Sequence, residues 1–266
     1  MFFITGIIIA ALFLVSTSMP LLSWVLPYYK IKKLEEADLK TKIIANTVAI
    51  LAIGWVDIKF LIPYFGIYVA MEIGYLLFKK YGRNVPIFDR IFIIALAVGL
   101  LISVYIFFNR VHLNINLEQL KDLYSKRTDF SSYEINMAFS YIREHLFFLV
   151  FLYTGVTSFL IYYFLKKETF INWEVSYFWL VPYIILFFMK RYGNIDTNLV
   201  ENGLQIFKIV YGLYFIKIVT KLLYTKIKKQ PFCFMIATLL TIMSPEFAFI
   251  IGGLASGIKV RVKVSK

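Results

Sequence analysis

Glu72 and Glu246 are acids set inside long apolar runs, where an ionisable side chain is costly unless it has a partner or a task. Glu72 lies between Phe60 and Phe78, seven residues before Lys79, which is about 10 Å along a helix at 1.5 Å per residue. Its carboxylate either holds a ligand or a proton, or pairs with that lysine as the lysine reaches toward the headgroups. Glu246 follows Pro245, where a helix break frees backbone groups. At mid-depth that combination suits a cation or a polar substrate; at the surface the acid is simply solvated. Asn46, in another apolar run, either hydrogen-bonds a neighbouring helix or contacts a ligand. Asn46, Glu72 and Glu246 are therefore the candidate ligand-binding residues.

Other reactive types form weaker patterns. Glu201, Gln205 and Lys208 share one helical face and Lys217 lies opposite, which reads as a polar stripe with snorkelling lysines. His112 and His145 are the only histidines, and no cysteine or carboxylate cluster accompanies them, so no metal site is expected. Cys233 is the sole cysteine, which excludes an intrachain disulfide and fits a small buried hydrophobe. No phosphate-binding glycine loop, zinc-protease pair or nucleophile elbow occurs. No catalytic residue or cofactor is assigned, and the chain is not expected to be an enzyme.

The elements that carry these residues follow from composition. Of 266 residues, 60% are hydrophobic, 19% aromatic and 17% charged, and the mean hydropathy is +0.74. Soluble domains average about 45–50% apolar and about 25% charged. One soluble core of this size cannot hide the excess, so lipid is its solvent. The net charge of +13 is concentrated in short gaps between apolar runs, where it meets anionic headgroups rather than nucleic acid. The expected fold is an all-α, polytopic transmembrane helical bundle forming one membrane domain over residues 1–266.

A span needs about 20 apolar residues, and the pattern gives about eight. They run from Phe3 to Leu26 with Pro20 inside and Pro27 closing it, then Ile43 to Val56, Phe60 to Phe78 and Ile91 to Phe108. Leu146 to Leu165, Val175 to Met189, Gly203 to Leu223 and Phe232 to Leu254 complete the set. The first lacks a basic leader and is expected to remain as a span. Asp57 and Lys59 turn a helical hairpin. Residues 109–144 are polar and helical in period, predicting two amphipathic helices, with Asn116 and Gln119 as a cap and Ser131 and Glu134 as a capping box. Phe170, Trp173, Tyr177 and Trp179 suit a membrane interface. Basic loops alternate with the spans and place themselves in the cytoplasm, except the tail at Lys259, Arg261, Lys263 and Lys266. A re-entrant hairpin at Pro245, or at Pro20, returns that tail to the same side.

Small residues recur at four-residue spacing: Gly6 with Ala10 and the adjacent Ala11; Gly66, Ala70 and Gly74; Ala45 with Ala49; and Gly253 with Gly257. Such spacing lets helix backbones approach in lipid, for packing within the bundle or docking to a second membrane protein, above all through Gly6, Ala10 and Ala11.

Three features of the last third carry a resemblance. Phe170-Ile-Asn-Trp173 precedes a span, Asn202-Gly-Leu204 precedes Tyr211 by nine residues, and Gly253-Leu-Ala-Ser256 leads into a basic tail at Arg261. With the early hairpin and the long polar loop, the layout resembles the YybS-like family of bacterial membrane proteins. The chain departs from that family's pattern at Ser176, at Tyr214-Phe215 and at Ser256. At greater distance the family is similar to the substrate-binding subunits of energy-coupling factor transporters. The resemblance implies a bacterial cytoplasmic membrane protein that binds a small molecule and docks a membrane partner. A non-catalytic scaffold of the cell envelope is the other expectation.

Overall fold

The computed structural model describes residues 2–127, 130–166, 172–193 and 197–258, and among them every regular element is helical. The basic tail at Lys259, Arg261, Lys263 and Lys266, and Phe170 of the aromatic cluster, lie outside the described residues. The chain divides into two compact units, Met1–Ile102 with Tyr153–Thr169, and Ser103–Leu152 with Phe170–Lys266.

In the first unit, α1 (Phe2–Ser18) stops just before Pro20, which cannot donate a backbone hydrogen bond and opens a 3₁₀ turn at Pro20–Leu22. Pro27 does not close the segment as its position in the sequence suggests. It sits in the first turn of α2 (Val25–Leu34), where no intrahelical donor is required of it. Lys30, expected in a loop, is therefore helical. α3 (Leu39–Val56) ends at the extended Asp57, whose carboxylate accepts from the Lys59 backbone N–H at 2.8 Å, and this makes the predicted hairpin turn. The return segment runs unbroken from Ile58 to Lys80 through α4 (Leu61–Pro63), a π-helical stretch Tyr64–Val69 and α5 (Ala70–Lys80). The wider π turn brings Tyr64 and Tyr68 to one side, where both meet the Phe13 ring edge-on at 5.6 and 5.5 Å. α6 (Ile87–Phe108) follows Pro86 and carries Asp89 in its first turn, as the helix dipole favours.

α7 (Arg110–Arg127) is helical through Asn116 and Gln119, so that pair sits within a helix and does not cap one. The second cap forms as expected: Ser131 and Glu134 exchange bonds at the start of α8 (Ser132–Glu144). His145 breaks the helical path before α9 (Leu146–Leu165). The unit boundary cuts α6 and α9.

In the second unit, residues 173–176 are not helical; helix resumes with a 3₁₀ turn at Tyr177–Trp179 and α10 (Leu180–Tyr192). At 13 residues α10 is about 20 Å long, short of the ~30 Å hydrocarbon layer, so the span expected from Val175 to Met189 is not one straight crossing. α11 (Thr197–Ile227) is the central helix of the unit, and α10, α12 (Gln230–Met243) and α13 (Pro245–Ile258) all pack on it. α12 and α13 are bent by 115° at Ser244–Pro245, so the break read from Pro245 is present.

Four helices are long and apolar enough to cross a membrane, Leu39–Val56, Ile58–Lys80, Ile87–Phe108 and Leu146–Leu165, and the bent α12–α13 pair makes a fifth if taken as one broken span. Only 22–39% of their apolar windows is buried within the protein. The rest faces outward and is compatible with acyl chains, not with water. The described residues are thus an all-helical assembly with four or five apolar segments long enough to cross a membrane.

Glycine sets the closest backbone contacts. A Cβ on Gly6 would lie 2.6 Å from the Val48 side chain and 2.7 Å from the Ala45 carbonyl oxygen, which seats α1 on α3 beside the fully buried Ala45 and Ala49. A Cβ on Gly252 would collide with the Tyr211 carbonyl, so α13 lies against the α11 backbone itself. Gly252→Ala should destabilise the protein in detergent by roughly 1–3 kcal/mol, because a backbone obstacle cannot swing aside. Gly66→Ala, where nothing stands within 4 Å, should stay within about 0.5 kcal/mol. Thermal or denaturant unfolding of the pair checks this.

Candidate functional site

Two polar centres stand out, one in each unit. In the first, α2 delivers Lys30 into the core at 1% exposure. Its ammonium lies 2.6 Å from the Glu72 carboxylate on α5 and 3.3 Å from the Tyr64 hydroxyl on the π turn, with the Tyr64 ring 5.4 Å away. Glu72 keeps 14% of its side-chain exposure. One charge of each sign is thus neutralised at depth, and the tyrosine satisfies a further ammonium proton.

Lys79, the partner in one of the two readings of Glu72, instead pairs with Glu35 at the C-terminal end of α2. The exchange is geometric: α2 lies alongside α5, so a lysine from the neighbouring helix reaches Glu72 directly. A second pair at the helix ends then ties α2 to α5 again. Asn46, also in this unit, donates to the Lys42 carbonyl at 2.8 Å, a bond within its own helix. The small-residue positions divide: Gly6 and the buried Ala10 face α3, Ala11 is exposed, and a Cβ on Gly74 would meet Ile94 at 2.9 Å. Ala70 is half-buried.

In the second unit Glu246 is largely exposed, at 67% of its side chain, and pairs with Lys208 at 2.6 Å, while Lys190 holds Glu201 at 2.7 Å. The Glu201–Lys208 stripe is therefore a seam that α11 shares with α10 and α13. Gly253 faces Leu180 at 3.3 Å, and a Cβ on Gly257 would meet nothing within 4 Å. Trp173, expected at the interface, is buried at 1% exposure, whereas Tyr177 is exposed. Among the described residues no group of three histidine, cysteine, aspartate or glutamate side chains is placed to hold a metal ion.

This unit also contains a cavity of about 490 Å³ where the end of α6, α7, the α8–α9 joint and the start of α11 meet. Its apolar wall includes Ile106, Phe107, Leu113, Leu117, Phe147 and Leu199. Its polar groups are Arg110, Asn114, Arg143, Glu144, Asn198, Asn202 and Ser103, whose hydroxyl is buried without a hydrogen-bond partner among the described residues.

Asn202 braces the joint. Its carbonyl oxygen accepts from the Phe148 N–H at 2.9 Å, and its amide donates to the Glu144 and Asn198 carbonyls at 2.8 and 2.6 Å. One side chain thus satisfies backbone groups on both sides of the break at His145. Across the α7–α8 pair, Arg143 hydrogen-bonds Glu118, and with Lys121 it holds that carboxyl below the usual range. The Ser131 hydroxyl and backbone lower Glu134 in the same way. Arg110 has no such anion among the described residues: it rests 5.7 Å from the Phe107 ring and lines the cavity.

Sequence reasoning passed over Lys30, and of the cavity residues it picked out Asn202 alone, within the Asn202-Gly-Leu204 feature. A lysine three residues after a proline that fits N1–N3 of a helix was the available signal for Lys30. Comparison with protein families, curated proteins and solved structures finds no match to this chain.

Removing one partner of the buried pair leaves the other charge uncompensated. Lys30→Met should cost about 3–5 kcal/mol of stability, and adding Glu72→Leu should recover most of it. Unfolding of both variants in detergent measures the coupling; simple additivity would show that the two groups do not interact.

Proposed function

We propose that this chain is a multi-pass protein of the bacterial cytoplasmic membrane that binds a small amphiphilic molecule, as a binding or uptake subunit. The α6–α11 cavity carries this reading. Its volume lies within the ~300–1,000 Å³ usual for ligand sites, and its lining is apolar with a few convergent polar groups. Arg110 and Asn114 supply donors for an anionic or carbonyl-bearing head, and the leucines and phenylalanines take an apolar body. The α7–α8 pair, expected from sequence as amphipathic helices, forms one wall. The resemblance to YybS-like proteins and, beyond them, to energy-coupling factor subunits agrees with such a role.

In this proposal Glu72 belongs to the scaffold, because Lys30 already satisfies it. Of the eight expected segments, seven crossings with α12–α13 as a re-entrant pair are the topology that keeps the basic loops on one side.

One observation favours the scaffold reading. Tyr133, Met137 and Tyr141 stand exposed at four-residue spacing on α8, a stripe that a partner protein would cover.

A thermal-shift screen of purified protein against vitamins, amino acids and other small amphiphiles separates the two. Under the binding proposal at least one compound raises the midpoint, and Arg110→Ala weakens its apparent affinity by about tenfold or more. Absence of any stabilising compound, with a stoichiometric membrane partner on crosslinking, would favour the scaffold.

A further inference from the structure

Lys217 lies in the second half of α11 and is buried, at 5% exposure. No hydrogen bond or ion pair joins its ammonium to any described residue, and it rests on the Tyr214 ring, 4.8 Å from the centroid. Three residues on, Thr220 is 1% exposed and its hydroxyl also lacks a hydrogen-bond partner among the described residues. Residues three and four apart on a helix are neighbours, so Tyr214, Lys217, Thr220 and Lys221 line one face.

A strap packs on the preceding turns of α11. Tyr211 donates its hydroxyl to the Ser176 and Tyr177 carbonyls, at 3.3 and 3.2 Å, and Trp179 meets Phe207 at 6.0 Å. The non-helical segment therefore runs antiparallel to α11, with buried Trp173 and Val175 pinning it. That direction brings Glu174 within electrostatic reach of Tyr214 and Lys217, though it forms no ion pair with the lysine. Lys221 is also within reach of Lys217 and repels it. Two ammonium groups and a hydroxyl without a partner among the described residues thus share one stretch of α11, and a single carboxylate, Glu174, is within reach of Lys217.

Donors without acceptors are expensive at such burial, and a bound oxyanion relieves all of them together. We propose that the Lys217–Thr220–Lys221 face of α11 binds a phosphate group, from a lipid headgroup or from free phosphate. Lys217 and Lys221 balance its charge, and the Thr220 hydroxyl donates to one of its oxygens. Glu174 sets an upper limit on the charge the site accepts. This site is separate in residues from the cavity and does not depend on the ligand proposed there.

The test uses the full chain, in detergent with inorganic phosphate or chloride at equal ionic strength, and in vesicles of phosphatidylcholine with or without phosphatidylglycerol. Phosphate or phosphatidylglycerol should raise the unfolding midpoint. Lys217→Gln should weaken the response on the order of tenfold and Lys217→Arg should largely keep it. A response to phosphate alone assigns a free ligand, and one to phosphatidylglycerol alone assigns a lipid. Thr220→Val preserves volume and charge, so it carries the test if Lys217→Gln does not fold, and it should bind more weakly than the parent. No response to either anion overturns the proposal. So does a parental response in Lys217→Gln, or in Thr220→Val where Lys217→Gln does not fold.

Discussion

Acyl chains offer no hydrogen bonds, so each polar group that enters them must be satisfied by the protein itself. This constraint organises the molecule. Lys30, Glu72 and Tyr64 answer one another in the first unit, and that buried contact fixes α2 against the hairpin return helix. In the same unit Thr154 donates to the Ala95 carbonyl and Ser23 bonds Thr157, so hydroxyls join helices whose outer faces are purely apolar. In the second unit Asn202 performs the equivalent task for backbone groups freed at His145.

The same reasoning separates polar groups that have a partner from those that lack one among the described residues. Glu72 and Asn46 looked like ligand contacts because they sit in apolar runs, yet each has a partner inside its own unit. Glu246 has Lys208 and is largely exposed. Groups left over are more informative: Arg110, with no ion pair among the described residues, and the Ser103 hydroxyl border a cavity, and Lys217 and Thr220 are buried together on α11. Unspent donors, rather than acids at depth, mark where this chain has room for another molecule.

Much of the helical layout was legible because it rests on local chemistry. The Asp57 turn, the Ser131–Glu134 box and the break at Pro245 depend on residues within one turn of each other. The face of Gly6 and Ala10 was legible as a close-packing surface, and α3 is what occupies it. Tertiary choices were not legible. Lys30 and Glu72 are forty-two positions apart, and nothing local says that Lys79 will turn to Glu35 instead. Trp173 reads as an interfacial residue until the strap folds onto α11, and Gly252 is indistinguishable from Gly253 until the Tyr211 carbonyl is placed. Lys217 reads as a snorkelling side chain, because its burial depends on tertiary packing around α11 that the local sequence does not encode.

The central claim is that the outward apolar faces are solvated by lipid. Cys233 is buried, so replacing it by serine gives a background for single cysteines at the exposed positions Leu51, Leu100 and Val156 and at Glu36 in the α2–α3 loop. Spin labels there, in reconstituted vesicles, report access to oxygen, which concentrates in lipid, and to a water-soluble nickel complex. The account predicts oxygen-dominated relaxation at the three apolar sites and nickel-dominated relaxation at Glu36. Nickel-dominated relaxation at Leu51, Leu100 and Val156 would contradict it.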